Sequence, residues 1–454
     1  MATPEDGTLL RGDLDELLLP MHEAEKPRSA FAVGTEHEKP ALLADTLAPA
    51  PYDGPRGIRR VLEELAARHG WIAESEYEGG PLLALKRGRA SVTLEPAAQL
   101  ELSGAPLRTI HEMADEMRTH LAELAPIASE LGLVFLGIGF HPFATHAELP
   151  WVPKLRYGVM REYLPTRSPT GLDMMRRTST VQANLDFENE HDAMEKLVVA
   201  LRLQPIVTAM FANSPFVEGR PTGERSHRAH VWVHMDPDRS GLLPFAWSKE
   251  TPTYRDYVEW ALDVPMFLVK RGQSILPNTQ QTFRTFLREG RDGVRATRGD
   301  WETHLNTLFP EARLKRTLEM RGADAQGAAL WPALPALFKG LLYDDEARRG
   351  AAALASRLSY ASVHAAREDI ARRALRAELQ GRSVGEWASD VLSLAESGLR
   401  RIGDLDASGR DESIHLAPLR ALVDAGDSPA DALLRHLEGA ADVPRALVEA
   451  TKLV

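Results

Sequence analysis

Two glutamates, Glu36 and Glu38, lie two positions apart near the start of the chain, in the segment 31–39 (FAVGTEHEK). The segment is short and has β-branched residues at its start. It is therefore predicted to be a β-strand, in which positions i and i+2 point to the same face. Two like charges at that spacing are stable only if cations hold them or one is protonated. A solvated strand edge also carries such pairs, so the pair alone leaves both interpretations open.

Four further segments alternate polar and apolar residues, as half-buried strands do. The solvated side of an antiparallel sheet would explain any one of them. The polar positions, however, carry Glu, Gln, Asn, Thr and Arg more than the interchangeable Lys and Glu of an ordinary surface. The residues predicted to share these faces are Ser91, Thr93, Glu95, Gln99, Glu101, Ser103, Thr178, Thr180, Gln182, Asn184, Asp186, Arg313, Lys315, Thr317, Glu319 and Arg321.

A carboxylate-rich sheet face suits Mg²⁺, because this ion prefers oxygen ligands, keeps some waters and bridges carboxylates to phosphates. Arg321, two residues from Glu319, adds a fixed cation for a phosphoryl group in transfer. The chain contains no GxxxxGK[ST] loop, and the GIG at 137–139 lacks the third glycine of a dinucleotide-binding fingerprint. Together these features predict phosphoryl transfer from a nucleotide in a site without a P-loop.

Several arginines are candidates for binding a substrate carboxylate, because the planar guanidinium pairs with carboxylates through two hydrogen bonds. Arg228 begins a further alternating run with a histidine and a tryptophan, Arg156 precedes Tyr157, and Arg177 directly precedes one of the polar strands. A surface ion pair is the alternative for each of these arginines.

The histidines give no clear signal. No spacing typical of zinc ligands or of a Ser-His-Asp triad stands out among the 15 histidines. His37 is predicted to point away from the Glu36/Glu38 face and to be packed. His141 follows a buried strand. Its side chain is predicted to lie either in a pocket or in the core, and the sequence does not decide between the two.

The polar faces must be positioned by strands and helices that do not alternate regularly. The predicted strands are 82–85, 90–94, 133–140, 178–187 and 229–235, and the predicted helices are 9–19, 55–69, 107–131 and 191–211. Past about residue 345, Ala, Leu, Arg and Glu at helical spacing predict a helical layer. This order favours an α+β fold with a largely antiparallel sheet over a doubly wound parallel one.

Composition sets further bounds. The chain has 454 residues, no cysteine and a net charge of −11, which excludes disulfides and thiolate chemistry and argues against a nucleic-acid surface. No apolar run reaches the roughly 18 residues of a membrane span. The acidic N-terminus lacks the basic start of a signal peptide. We therefore expect a cytoplasmic protein with small-molecule substrates, no nucleic-acid or membrane partner, and a monomeric or homodimeric state.

Ordered motifs along the chain resemble the glutamate–cysteine ligase family, in its plant and proteobacterial branch, within the glutamine-synthetase-like superfamily. The resemblance covers about residues 31–344. Its motifs are GTEHEK at 34–39, TLEP at 93–96, QLELSGAP at 99–106, RY at 156–157, LDMM at 172–175, VQANLDF at 181–187, FANSPF at 211–216, ALDVPM at 261–266, DWETHL at 300–305 and LEMRGAD at 318–324.

The resemblance implies a curved antiparallel sheet forming a funnel-shaped active site surrounded by helices. It implies ATP- and Mg²⁺-dependent joining of glutamate to cysteine through a γ-glutamyl phosphate, the first step of glutathione biosynthesis; Mn²⁺ is an alternative metal. The metal ligands that the resemblance implies are Glu36, Glu38, Glu95, Glu101 and Glu319. It implies that Gln182, Asn184 and Arg321 bind ATP and phosphate, and that Arg228, Arg156, Arg177 and Tyr157 bind the substrate. The catalytic groups it implies are Arg321 and Glu319.

The sequence also departs from the family pattern. Ala97 and Ala98 stand where two glycines are usual, and FHPFA at 140–144 replaces a segment with a Lys-Trp pair. A related ligase that couples glutamate to another amine, and a non-catalytic relative that binds nucleotide or amino acid, are the alternatives. We expect one catalytic domain over 1–454, with the motifs at about 31–344 and a helical C-terminal layer at about 345–454.

Overall fold

A computed structural model of the chain describes residues 6–272 and 274–454. Its strands, in chain order, are β1 (Val33–Lys39), β2 (Ala41–Leu43), β3 (Ile72–Ser75), β4 (Leu82–Arg87), β5 (Ala90–Leu94), β6 (Leu100–Ser103), β7 (Leu133–Phe135), β8 (Thr180–Leu185), β9 (Phe216–Val217), β10 (Arg220–Pro221), β11 (Ser240–Gly241), β12 (Leu268–Arg271), β13 (Ser274–Pro277), β14 (Phe309–Pro310), β15 (Ala312–Leu314), β16 (Leu318–Asp324), β17 (Glu378–Leu379) and β18 (Arg382–Ser383).

Helices surround these strands along the whole described chain. They are α1 (Leu14–His22), α2 (Ile58–His69), α3 (Ile110–Leu131), α4 (Leu155–Arg167), α5 (Gly171–Arg176), α6 (Glu190–Met210), α7 (His227–Val233), α8 (Phe245–Ser248), α9 (Tyr254–Asp263), α10 (Phe283–Glu289), α11 (Arg298–Leu305), α12 (Ala333–Leu342), α13 (Asp345–Ser356), α14 (Tyr360–Arg373), α15 (Val384–Ile402), α16 (Ala417–Asp424), α17 (Pro429–Leu437) and α18 (Val443–Thr451).

The central feature is an eight-stranded sheet with the order β15-β16-β8-β1-β6-β5-β4-β3. Every neighbouring pair in it is antiparallel. The apolar residues of β5, β6 and β8 alternate with the polar ones and face the core, as in Val181, Ala183 and Leu185 of β8. The core face of β1 carries Val33 and the buried polar side chains of Thr35, His37 and Lys39. The predicted α+β class with an antiparallel sheet is confirmed.

Helices cover the apolar side of the sheet. α6 and α12 are buried almost all round, and α12 packs on β8 and on α15. Gly340 of α12 and Gly398 of α15 allow this packing, because a Cβ on either would overlap the backbone of the facing helix. The part beyond residue 345 is mainly helical, as predicted, with a short β17–β18 hairpin. No helix in 6–272 or 274–454 is long and apolar enough to cross a bilayer.

The structure corrects two strand predictions. The segment predicted as strand 229–235 is helix α7, because the Ser226 side chain accepts a hydrogen bond from Ala229 N at 2.9 Å and caps the helix. The run 313–321 is not one strand but the β15–β16 hairpin, whose turn is closed by Lys315 N donating to Thr317 O at 2.9 Å. The hairpin pairs Arg313 with Glu319, so these two side chains still share a face.

Other boundaries differ because of local chemistry. α1 begins at Leu14 rather than residue 9, since Asp13 accepts from Asp15 N as an N-cap. β7 ends at Phe135, and Gly137 and Gly139 beyond it lie against backbone and the Asp324 side chain, where a Cβ would not fit. Arg156 lies in helix α4 rather than in an extended segment.

Candidate active site

The strand register brings the predicted acidic side chains to one face of the main sheet. Glu38 lies opposite Glu101 on β6. Glu36 lies opposite Gln182 on β8, and Glu319 of β16 lies opposite Asn184 of the same strand. Directly opposite residues of an antiparallel pair project to the same side. Side chains nearly 300 positions apart in the sequence therefore meet over the strands β6, β1, β8 and β16.

Glu36 lies at the centre of this face. Burial raises the pKa of Glu36 to about 7, and the nearby charges of Glu319 and Glu101 add to the rise. The Asn184 amide donates a hydrogen bond to Glu36 Oε1 at 3.0 Å, and Asn184 Oδ1 in turn accepts from the Thr317 hydroxyl at 3.1 Å. Asn184 thus holds the Glu36 carboxylate in place from the neighbouring strand.

Glu38 is in a similar position one pleat further along β1. Burial raises the pKa of Glu38 well above its usual range, and the charges of Glu95 and Glu101 raise it further. The backbone N–H of Thr180 donates to Glu38 Oε2 at 3.0 Å. Glu101, which is buried, accepts a short hydrogen bond from the Thr93 hydroxyl. The carboxylates of Glu95 and Glu101 therefore lie close enough to Glu38, and that of Glu101 close enough to Glu36, to disfavour the ionised forms of Glu36 and Glu38.

Glu319 differs from these four carboxylates, because protein cations surround it. Arg313 Nη2 lies 2.8 and 2.9 Å from its two carboxylate oxygens, Lys315 Nζ lies 2.6 Å away, and Arg321 makes a close ion pair with it. Burial opposes ionisation, but Arg313, Lys315 and Arg321 together hold the pKa of Glu319 well below its usual range. Glu319 is ionised and its charge is already balanced.

The donor chemistry of the other four residues fits a hard divalent cation. In the described part of the chain none of Glu36, Glu38, Glu95 and Glu101 forms an ion pair with a lysine or arginine. Uncompensated buried carboxylates are costly unless a cation binds them or they take up protons. Oxygen-only donor sets of this kind are those that Mg²⁺ prefers. The arrangement therefore has the composition of a magnesium site.

Arg321 joins the carboxylate cluster to a second, basic region. Its Nη1 donates to Gln182 Oε1 at 3.1 Å as well as contacting Glu319. Its carbonyl oxygen accepts from Arg228 Nη2 at 2.7 Å. Arg228 is buried on α7, and the N-terminal end of that helix is fixed by the Ser226 hydroxyl donating to Asp324 at 2.9 Å. The two arginines thus stand side by side next to the carboxylate face.

A pocket lies beside these arginines. Its walls are aromatic and aliphatic, with charged groups at a few points, as in many small-molecule sites. Arg228 Nε and Trp232 Nε1 are buried and have no hydrogen-bond partner, although both residues line the pocket. The lining residues are Pro205, Thr208, Arg228, Ala229, Trp232, Val233, Gly241, Phe309, Pro310, Glu311, Arg321, Gly322, Arg367 and Ile370.

Arg156 and Tyr157 lie at another edge of the face, near the end of β5. The Tyr157 hydroxyl donates to Leu94 O at 3.1 Å, and burial, with the charge of Glu95 next, raises the pKa of Tyr157. Lys154 Nζ donates to the same carbonyl at 2.5 Å. Burial lowers the pKa of Lys154 to about 8, and the charge of Arg156 contributes to this fall. This group is close to Glu95 rather than to the pocket.

Arg177 is not brought to the site. Its guanidinium contacts Asp173 at 3.2 Å, Glu218 at 2.7 Å and the Ala144 carbonyl at 2.8 Å. The donors of the Arg177 guanidinium are therefore used to fix the segment around residue 144. The position of Arg177 in the sequence, directly before a polar strand, does not bring its side chain to the site. His141 is also structural: it is buried, its Nδ1 accepts from Ala144 N at 3.0 Å, and burial lowers its pKa to about 3.

Three contributors to the site are not predicted by the sequence patterns. Arg313 and Lys315 were assigned to a polar face, but their joint contact with Glu319 depends on the hairpin turn between them. Arg367 comes from α14, in the C-terminal part, and lines the pocket while pairing with Glu311 at 2.8 Å. No local motif marks Arg367, because it reaches the site only through the packing of α14 on α7.

The architecture is shared with a solved enzyme. A crystal structure of glutamate–cysteine ligase from Francisella tularensis in complex with AMP superimposes with a TM-score of 0.53, covering 93% of this chain and 87% of that one at 10% identity. At that identity the likeness shows the fold alone. The two chains thus share an antiparallel sheet surrounded by helices.

Sequence comparisons give the family. Residues 32–449 match the profile described as glutamate-cysteine ligase family 2. The chloroplastic glutamate–cysteine ligase of Arabidopsis thaliana is 42% identical over 418 residues, which is 91% of this chain and 78% of the relative. The chloroplastic glutamate–cysteine ligase A of Oryza sativa subsp. indica is 41% identical over 417 residues, 91% of this chain and 82% of the relative. The chain belongs to the glutamate–cysteine ligase family, as its motifs predicted.

One expectation is wrong. The sequence was interpreted as that of a cytoplasmic protein, but the relatives from Arabidopsis thaliana, Oryza sativa and Brassica juncea are all named as chloroplastic enzymes. The absence of a basic, apolar start tests only for a secretory signal, and it carries no information about organelles.

Proposed function

We propose that this protein is an ATP-dependent ligase that joins the γ-carboxylate of glutamate to the amine of cysteine, with Mg²⁺ as the metal. One observation carries the proposal: uncompensated carboxylates and unpartnered arginine and tryptophan donors lie on either side of Arg321. The first group matches a metal–nucleotide site, and the second matches a polar substrate. Family membership supports the same reaction.

Glu36, Glu38, Glu95 and Glu101 would hold the metal, with Gln182 and Asn184 beside them. When bound, Mg²⁺ neutralises phosphate charge and orients the phosphates for in-line transfer. Glu319 differs in that its charge is already balanced by Arg313, Lys315 and Arg321. We propose that Glu319 mainly fixes these cations, and that metal binding to Glu319 requires one of them to turn to the phosphates.

Arg228 and the pocket next to it would bind glutamate. A free amino acid presents carboxylates and an ammonium group, and the pocket offers arginines together with the carboxylate of Glu311. Burial of Arg228 strengthens its interaction with a carboxylate, because few waters compete for its donors. Its free Nε is a donor that the protein leaves unused.

Arg321 would act at the reacting atoms. The γ-carboxylate oxygen of glutamate attacks the terminal phosphorus of ATP, the bond to the bridging oxygen breaks, and ADP leaves. The neutral cysteine amine then attacks the acyl carbon, phosphate leaves with the bonding pair, and the surplus proton of the amine passes to the departing phosphate or to water. Both steps build up negative charge on oxygens, which a fixed guanidinium stabilises. The largely apolar pocket wall limits hydrolysis of the acyl phosphate by water.

The chain is proposed to act as one catalytic unit, with the motifs at about 31–344 and the helical layer at about 345–454. Arg367 and Ile370 of α14 line the pocket, so the helical layer contributes directly to the site. A fragment that ends near residue 344 would lack these walls.

ADP release measured with ATP, Mg²⁺, glutamate and a panel of amines tests the proposal. We expect release that depends on both glutamate and cysteine, and formation of a glutamyl hydroxamate when hydroxylamine replaces cysteine. A ligase for another amine would respond to that amine and not to cysteine. A non-catalytic relative would release no ADP with any of them.

A further inference from the structure

Helix α7 carries a second cluster of side chains away from the carboxylate face. His230 and His234, four positions apart at the end of this helix, meet Glu368 of α14, and one ligand atom from each lies within 4.8 Å of the others. We propose that His230, His234 and Glu368 bind a divalent transition-metal ion, with Zn²⁺ as the best match. This site is separate from the proposed magnesium site and does not depend on the proposed reaction.

The ligand atoms of the cluster lie close to the spacing that they would have around a bound zinc ion. His234 Nε2 lies 2.6 Å from one oxygen of Glu368, and His230 Nδ1 lies 3.4 Å from the other. Ligand atoms bound to one zinc ion at roughly 2.1 Å are separated by about 3.4 Å when the arrangement is tetrahedral. Small rotations of side chains that are half-buried or exposed would reach that spacing.

Glu224 is a candidate for the fourth ligand. Glu224, which precedes α7, lies 3.1 Å from His230 Nδ1 and 2.6 Å from His227 Nδ1. It can complete the coordination directly or leave the fourth position to water. The three main ligands come from α7 and the residue that directly follows it, and from α14, so the ion would link α7 to α14.

The donor types separate this site from the carboxylate face. Two imidazole nitrogens and one carboxylate suit Zn²⁺, Co²⁺, Ni²⁺ or Cu²⁺, whereas Mg²⁺ prefers oxygen ligands. The carboxylate face of the main sheet contains no histidine among its proposed ligands. Excess Mg²⁺ would therefore occupy that face and leave the histidine site free.

The two helices that carry the cluster also form walls of the pocket, so a bound ion would affect the pocket. α7 supplies Arg228 and Trp232 to the pocket wall, and α14 supplies Arg367 and Ile370. An ion that joins the two helices would restrain these walls relative to each other. Sequence spacing alone did not mark the site, because Glu368 lies more than 130 positions from the two histidines.

The test is a metal titration of the full chain in saturating Mg²⁺. Calorimetry with Zn²⁺ and visible absorption with Co²⁺ should show one ion per chain and the Co²⁺ spectrum of a low-coordinate nitrogen and oxygen site. His234→Ala and Glu368→Gln should each weaken binding by at least about tenfold, the loss that even a change in the outer shell of a metal site can bring. Zn²⁺ should also raise the midpoint of thermal unfolding of the unaltered chain, because the three ligands are brought together only in the folded state.

His364→Ala is the matched control. His364 is an exposed histidine one turn before Glu368 on α14 and is outside the cluster. This variant should bind Zn²⁺ and Co²⁺ as the unaltered chain does. His234 and Glu368 are exposed, so their variants should fold, and circular dichroism checks this. Equal Co²⁺ binding by the unaltered chain, His234→Ala and Glu368→Gln, or no Co²⁺ binding by the unaltered chain, would overturn the proposal.

Discussion

Arg313 and Glu319 face each other across the β15–β16 hairpin, with Arg313 Nη2 at 2.8 and 2.9 Å from the two carboxylate oxygens. The pair is buried, and Lys315 and Arg321 approach the same carboxylate. Glu36 and Glu38, on the adjacent part of the sheet, form no ion pair with a described lysine or arginine, although the charges of Lys315 and Arg228 act on them from further away. The site therefore contains one carboxylate whose charge the protein balances and others that form no ion pair with a described lysine or arginine.

The first prediction concerns the neutralised carboxylate. Glu319→Gln leaves three cations around a neutral amide, and breaking a buried ion pair in this way costs about 3–5 kcal/mol. We expect a clear fall in the free energy of unfolding, measured by chemical denaturation in EDTA, together with loss of ADP release. Leu318→Ile on the same strand is the packing control. Unchanged stability of Glu319→Gln would mean that the three cations do not depend on Glu319.

Glu38→Gln should behave in the opposite way. Burial and the charges of Glu95 and Glu101 disfavour the ionised form of Glu38, so the neutral amide removes repulsion. In EDTA near neutral pH the variant should be at least as stable as the unaltered chain. ADP release should fall by about 10²–10³-fold, the order of magnitude lost when a group that stabilises transition-state charge is removed. Full activity of Glu38→Gln would remove it from the proposed metal ligands.

The raised pKa of Glu36 gives a pH dependence of known sign. Its pKa is about 7 in the folded chain against a usual value of 4.5, so the folded state binds more protons between these values. The resulting stability is fully present below about pH 4.5 and is lost as the pH rises through about 7. Without metal, Glu36→Gln should match the unaltered chain near pH 5 and exceed its unfolding midpoint near pH 8.

Addition of Mg²⁺ provides a second test of the raised pKa of Glu36. The metal competes with protons for the carboxylates, so Mg²⁺ should stabilise the unaltered chain more near pH 8 than near pH 5. The gain should be smaller in Glu36→Gln. A gain from Mg²⁺ that is independent of pH would contradict the assignment of Glu36 as a ligand with a raised pKa.

Regular alternation made much of this site predictable. The polar positions of β1, β5, β6 and β8 were identified because a two-residue period directly reports which side chains share a face. The order and register of the strands were not predicted from the sequence, and the structure supplies them. The placement of Glu319 in one site with Glu36 was implied by the resemblance to the family. Its three cations, in contrast, depend on a hairpin turn that the alternating pattern of 313–321 concealed.

Arginines were harder to assign than carboxylates. The sequence around Arg228 fits both a strand and a helix, and the Ser226 cap and the contact with α14 select the helix. Arg177 stands next to a site strand in sequence, yet its long side chain turns to Asp173 and Glu218. Arg367 is distant from every motif. Tertiary packing, which local patterns do not encode, decides the role of each.

The loop between β5 and β6 provides a prediction about backbone strain. Ala98, where the family usually has glycine, has φ of 64°, in the left-handed region that costs an L-residue roughly 1–2 kcal/mol. Ala98→Gly should raise the free energy of unfolding by about 1 kcal/mol, reduced somewhat by the entropy of glycine in the unfolded chain. Ala97→Gly is the control, since Ala97 has no positive φ and packs against Ala144 and Leu149. It should destabilise the protein.

The last prediction separates two buried arginines that the sequence placed in the same class. Arg228→Lys keeps the charge but loses the planar fork, so the KM for glutamate should rise by about 10–100-fold, as expected from losing a charge-assisted hydrogen bond of about 1.5–3 kcal/mol. Arg177→Lys should leave the KM for glutamate nearly unchanged and lower the unfolding midpoint, because Arg177 binds Asp173, Glu218 and a backbone carbonyl. Steady-state kinetics with glutamate varied, together with thermal unfolding, measures both. A rise in KM for Arg177→Lys equal to that for Arg228→Lys would contradict the assignment of the pocket as the glutamate site.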